Sequence, residues 1–144
     1  MIILAADHAG FELKEKIKAY LTGLGYECKD MGAVKMDPVD DYPDFIIPAA
    51  RKVAENPGEN RGIIFGGSGQ GEAMAANRIK GVRAAVYYGG AEEIIRLSRE
   101  QNNANVLSIG VRFVTLAQAK KAVKMWLETP FSEDKRHIRR ISKF

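Results

Sequence analysis

Three groups of residues in this 144-residue chain are of types that could do chemistry. The first is GGSGQGEAMAAN at 66–77, where glycines 66, 67, 69 and 71 crowd together and a lone carboxylate, Glu72, follows. The second is Asp7-His8, at the end of the apolar run Ile2-Ile3-Leu4-Ala5. The third is KRHIRR at 135–140, in which Arg136 and Arg140 would share one face of a helix. Glycine-rich backbone between a strand and a helix start directs N–H groups at an anion, and the helix dipole adds to the attraction. Three anions suit that geometry: a dinucleotide pyrophosphate, a phosphate monoester, or an oxyanion created during a reaction.

The spacing chooses among them. Gly67-x-Gly69-x-Gly71 misses the dinucleotide pattern G-x-G-x-x-G, because position 72 is Glu, and it follows the third apolar run rather than the first. The lysine of a P-loop is absent. A carboxylate in the first helical turn would repel a bound phosphate. An oxyanion bounded by a base is therefore the better reading, and a non-catalytic nucleotide-binding module the remote one. Each group also has a plainer reading. Acids favour first turns, Ser68 could cap a helix, Asp7 and His8 could merely end a strand, and the C-terminal cations could be a solvated face.

The elements that must position these groups alternate strand and helix. Ile2–Ala5 reads as a buried strand, followed by a helix over 11–24 with Leu13, Ile17, Leu21 and Leu24 on its apolar face and Lys14, Lys16 and Lys18 off it. A short strand is expected at Tyr26–Asp30, a polar loop at 36–42, and a helix opened by Pro43. Strands at 63–65, 83–87 and 106–109 alternate with helices at 73–77, 92–102 and 115–127, the last with a Thr115/Gln118 capping box. Ser132 is expected to cap a final basic helix. Strands apolar on both faces argue a parallel sheet covered on both sides, with ligands beyond the strands' carboxyl ends. Those ends carry Asp7-His8, the 66–72 loop and Gly110-Val111-Arg112.

Composition sets the bounds. The chain is 46% hydrophobic and 28% charged, one domain's worth over 1–144, with no apolar run long enough for a membrane span. Cys28 is the only cysteine, so no internal disulfide can form; with no leader at the start, a reducing cytoplasm is expected. The net charge is +4, and five cations of the segment 133–143 against Glu133 and Asp134 supply +3 of it. So local a patch, without interleaved aromatics, fits a phosphate monoester better than nucleic acid.

The segments AADHAGFELK at the start, DYP at 41–43, GGSGQGEAMAANR, REQNNANVLSIGVR at 99–112 and KRHIRR together resemble the type B ribose-5-phosphate isomerase family, in the same order and nearly end to end. That family also holds galactose-6-phosphate and allose-6-phosphate isomerases. The resemblance implies an α/β Rossmann-like three-layer sandwich with a five-stranded parallel sheet and a C-terminal basic helix. It also implies a homodimer, or a tetramer, whose active sites take residues from both chains, with no cofactor and no metal. The implied reaction, from the pentose phosphate pathway, interconverts ribose 5-phosphate and ribulose 5-phosphate through an enediolate.

Carried onto this sequence, the family's roles make Glu72 the base, amides of Gly67, Gly69 and Gly71 the oxyanion donors, and Ser68 the proton relay. Arg112, Arg136 and Arg140 would hold the phosphate, with His8 and His137 nearby. Asn102 would bind sugar oxygens and Tyr42 wall the sugar. Two departures stand out. Many members carry a cysteine base where this chain has Gly66, whereas a branch of the family uses the glutamate found here as Glu72. Members usually show His where this chain has Gln101, which cannot exchange protons near neutral pH. Ring opening then falls to Asp7, or the preferred substrate is a six-carbon sugar phosphate.

Overall fold

A computed structural model covering residues 1–144 has five strands in one sheet, all parallel, in the order β2-β1-β3-β5-β4. The strands are β1 (Ile2–Ala6), β2 (Cys28–Asp30), β3 (Arg61–Gly66), β4 (Ala84–Tyr87) and β5 (Val106–Gly110). The helices are α1 (Phe11–Gly23), α2 (Pro43–Ala54), α3 (Gln70–Ala76), α4 (Glu93–Glu100), α5 (Leu116–Glu128) and α6 (Lys135–Ile141). The expected three-layer α/β architecture is therefore present. No helix is long and apolar enough to cross a membrane.

The period of two in a strand explains how one sheet supports two cores. Ile2, Leu4 and Ala6 of β1 join Ile63, Phe65, Leu107 and Ile109 on one face, against Ile17, Leu21, Val123 and Trp126 of α1 and α5. Ile3 and Ala5 turn to the other face, where Ile64 and Val106 meet Ile46, Val53 and Ala76 of α2 and α3. Both faces are dry, so β1 and β5 are buried at every residue. Full burial of each Ile or Leu side chain contributes about 1.5–3 kcal/mol.

Local signals explain the helix ends, with some corrections. Thr115 and Gln118 form the expected capping box: the Thr115 hydroxyl accepts from the Gln118 amide at 3.2 Å, and the Gln118 side-chain oxygen accepts from the Thr115 amide at 2.8 Å. Pro43 stands in the first turn of α2. The cap of α6 is Asp134, whose carboxylate accepts from the Arg136 amide at 2.8 Å, not Ser132. The anionic acceptor two residues closer to the helix takes the role. Helix α3 starts three residues earlier than the apolar pattern suggested, at Gln70, because Gly69 adopts the left-handed turn that launches it.

Lys14 is a larger correction. Expected off the apolar face of α1, it is fully buried, whereas Leu24, expected on that face, is 48% exposed. The Lys14 ammonium donates to Asp30 Oδ2 at 2.6 Å and Glu15 Oε1 at 2.8 Å, and Lys18 donates to the same two carboxylates. Burial pulls the Asp30 carboxyl upward, but the hydrogen bonds from Lys14, Lys18 and the Gly32 amide outweigh it and hold Asp30 below the usual range. The cluster pins α1 to β2, the weakest strand of the sheet.

Removing a buried cation strands its partner. Lys14→Ala should lower stability by about 3 kcal/mol, and Lys14→Met by less, in urea unfolding at pH 7. The depressed Asp30 carboxyl stabilises the fold above its unfolded pKa of about 4 and loses that contribution as pH falls through its folded value. The gap between wild type and Lys14→Ala should therefore close below about pH 4.

Candidate active site

The glycine loop leaves β3 and enters α3 across the carboxyl end of the sheet. Gly69, at φ +76°, is its pivot, and the fully buried Ser108 hydroxyl of β5 donates to the Gly69 carbonyl at 2.7 Å. A Cβ at Gly69 would lie 3.0 Å from the Gly110 nitrogen, so only glycine fits both the conformation and the space. Of the loop's donors, the Gln70 amide finds only the Ser68 hydroxyl, at 3.3 Å. The N–H groups of Gly67, Ser68, Gly69 and Gly71 donate to no other group in the chain. Ser68 itself is exposed at the tip.

Glu72 lies in the first turn of α3 and is buried, with 5% of its surface exposed. Its carboxylate rests on the bare backbone of Gly66: a Cβ there would sit 1.9 Å from Glu72 Oε1. Burial pushes the Glu72 carboxyl above its ordinary range; a hydrogen bond from its own amide opposes this, and the nearby charge of Asp7 adds to the rise. A buried carboxylate beside unpartnered amides has the geometry that a base next to an oxyanion cradle would require. No thiol competes for the role. Cys28 lies in β2 at the far edge of the sheet, and burial pushes its pKa up.

The ends of neighbouring elements add four of the expected residues. Asp7, buried after β1, accepts from the Ala9 and Gly10 amides through Oδ1, at 3.0 and 3.3 Å, while Oδ2 lies 3.9 Å from His8 Nδ1. His8 Nδ1 is 2.6 Å from Asp40 Oδ1, which also accepts the His8 amide at 3.0 Å. The Arg112 guanidinium lies over the loop, with its carbon 3.0 Å from where a Cβ on Gly67 would be. Tyr42 approaches Gly71 in the same way, its hydroxyl 2.7 Å from that glycine's hypothetical Cβ.

The other expected residues lie at the opposite end of the sheet. Gln101 and Asn102 follow α4 and lead back into β5, so they stand at its start. Gly66 is in register with Gly110, and Gly62 with Val106. The length of β5, roughly 13 Å, therefore separates them from the glycine loop. Helix α5 descends about 20 Å from the carboxyl end of the sheet. The segment after it is tied to the end of α4 by the Ser132 amide on the Glu100 carbonyl at 3.1 Å. Arg136, His137 and Arg140 are thus carried to that far end, Arg136 and Arg140 exposed and His137 buried. One chain does not bring the two sets together.

The roomiest cavity is not at Glu72 either. About 480 Å³ opens beside Asn102 and Arg83 along β4, and smaller hollows continue past Val86 and Ile94 to Tyr88. β4 is an edge strand, paired with β5 on one side only, and large apolar side chains flank it: Met74 is 66% exposed, Ile94 58% and Tyr88 54%. Exposed apolar side chains beside an open sheet edge are features that protein docking surfaces share.

Two residues of the site escaped the sequence reading. Asp40 fell in a stretch read as polar loop, and nothing in its neighbourhood distinguishes it from Asp37 or Asp41. Ser108 had a usable signal, a lone hydroxyl inside the apolar strand Val106-Leu107-Ser108-Ile109.

With this geometry in view, the comparisons with known proteins are specific. The ribose/galactose isomerase family model matches residues 2–144. The chain is 44% identical to ribose-5-phosphate isomerase B of Mycobacterium tuberculosis, covering 97% of this chain and 85% of that protein. It is similar to the crystal structure of ribose-5-phosphate isomerase B from Mycoplasma genitalium with bound ribulose 5-phosphate. There the TM-score is 0.94 at 41% identity, over 99% of this chain and 91% of that one. A structure from Clostridium thermocellum, also a ribose-5-phosphate isomerase B, gives a TM-score of 0.91 at 39% identity, covering 99% of this chain and 93% of that one. A family match across nearly every residue, together with such close structural likeness, places this chain in the ribose/galactose isomerase family, as an isomerase.

Proposed function

We propose that the chain interconverts ribose 5-phosphate and ribulose 5-phosphate, with Glu72 as the base. The observation that carries this reading is the buried Glu72 carboxylate, set beside a loop whose amides have no partner in the chain. In the open-chain aldose, Glu72 takes the proton from C2. The C2–H electron pair forms the C1–C2 double bond, and negative charge collects on O1. Loop amides meet that charge, each donor worth about 3 kcal/mol in the transition state. Ser68 relays the O2 proton to O1, and Glu72 returns its proton to C1, leaving a ketone at C2. The steps balance without an added oxidant or reductant.

Before this chemistry the sugar ring must open. Asp7, whose Oδ2 is free of the backbone turn, is the acceptor for the anomeric proton, since Gln101 exchanges none. Tyr42 walls the sugar, and Arg112 with His8 meets the phosphate from the same chain.

Phosphate and sugar contacts from Asn102, Arg136, His137 and Arg140 come, in this reading, from a second copy. A two-fold axis across the β4 edge would bring the start of one sheet to the finish of the other, and so one chain's C-terminal helix to its partner's Glu72. Such an isologous contact would cover the apolar face of β4, α3 and α4 and complete two sites at once.

Three outcomes follow. Glu72→Gln keeps the shape and removes the base, so turnover of ribose 5-phosphate should fall at least ~100-fold with little change in binding. Because the Glu72 carboxyl is raised, the acid limb of the wild-type rate profile should lie above the ordinary glutamate range. Parallel assays on hexose 6-phosphates would transfer the assignment to a six-carbon substrate if those turn over faster.

Mixing nearly inactive Glu72→Gln and Arg140→Ala chains and letting them reassociate should restore about a quarter of wild-type activity. Half the dimers would be mixed, and each would hold one intact site. No recovery on demonstrated exchange would put both residues in one chain's site. Finally, Gln101→His should speed turnover of ring-forming substrates only, and Asp7→Asn should slow it; silence in both variants would remove these residues from ring opening.

A further inference from the structure

The loop before α2 contributes a residue that the chemistry above leaves without work. Asp40 turns inward, with its side chain 8% exposed. Its Oδ1 receives the His8 backbone amide at 3.0 Å and stands 2.6 Å from the ring nitrogen Nδ1. Its Oδ2 is buried and has no hydrogen-bond partner. A carboxylate with one oxygen dry and unpartnered is costly unless a cation lies against it. The only such group in contact is the imidazole. A carboxylate on Nδ1 fixes the proton there and leaves Nε2 as the ring's free atom.

We propose that Asp40 is a positioning residue for His8, holding the imidazole in a fixed orientation and in its cationic form so that Nε2–H binds the substrate phosphate beside Arg112. This inference rests on the reading that His8 meets the phosphate.

The charged groups facing His8 come from three elements: Asp7 at the end of β1, Asp40 in the loop, and Arg112 after β5. The Asp40 hydrogen bond is the largest influence and raises the His8 pKa; burial opposes it, Asp7 adds to the rise and Arg112 works against it. The cationic ring therefore persists to higher pH than a free histidine, and phosphate affinity should fall as pH rises through its titration.

The test compares wild type with Asp40→Asn, which keeps an oxygen acceptor and removes the charge, and Asp40→Glu, which restores it. The chain has two histidines, His8 and His137, so imidazole titrations are readable by NMR in the substrate-free protein. In Asp40→Asn the His8 midpoint should move to lower pH. KM for ribose 5-phosphate at pH 7.5 should rise about three- to tenfold with kcat within about twofold, and Asp40→Glu should recover part of the loss. The second ionisation of the substrate phosphate, near pH 6, is common to all variants and cancels in the comparison. An unmoved His8 midpoint, or a fall in kcat at constant KM, would overturn the proposal. So would a rise in wild-type KM on adding EDTA, which would assign Asp7, His8 and Asp40 to a cation instead. The NMR arm requires no turnover, so a chain inactive on ribose 5-phosphate with a shifted midpoint would sink the substrate assignment and leave the Asp40–His8 coupling standing.

Discussion

All five strands run the same way, and that single directional constraint decides where every functional group can be. With helices on both faces, the sheet offers only its two ends to a ligand. The ends of β1, β3 and β5 gather Asp7, the glycine loop and Arg112 into one place. The return helices α4 and α5 must finish at the other end, so whatever follows them is delivered far from Glu72. The length of the strands, rather than any detail of the loops, keeps Gln101, Asn102 and the C-terminal cations away from Glu72.

The two ends differ in charge as well as position. The carboxyl end of the sheet collects Asp7, Asp40 and Glu72, relieved by His8 and Arg112. The far end holds the basic helix α6, which lies in the segment supplying most of the net positive charge. Facing each other across a two-fold axis, the ends would be electrostatically complementary, which favours correct approach more than it adds raw affinity. The acidic end alone is a poor host for a phosphate dianion. Cations supplied by a second copy, as proposed, would leave the raised Glu72 carboxyl in place while the substrate's charge is met elsewhere.

Much of this was legible in the amino-acid sequence because it rests on local rules. The alternation of apolar runs with amphipathic stretches announced the parallel sheet, and GGSGQGE announced a backbone cradle with an acid beside it. The Thr115/Gln118 pair declared its own cap. What escaped depends on contacts between distant residues. Lys14 carries the most solvent-loving kind of head group, and only the position of Asp30 on β2 makes its burial tolerable. Asp40 is one of several acids in its loop until His8 is placed beside it. Ser108 reads as an irregularity until the Gly69 carbonyl is found above it. Polar groups in a dry interior are set by their partners, and a partner sixteen or more residues away leaves no periodic trace.

The missing side chain at position 66 bears on how the Glu72 carboxyl is kept from water. The Glu72 carboxylate occupies the volume that a Cβ at 66 would need, so any side chain there would have to displace the flexible end of Glu72 from its seat on the backbone. A side chain introduced at 66 would push the carboxylate toward water, and a better-solvated carboxyl would give up part of the burial that raises it above the ordinary glutamate range.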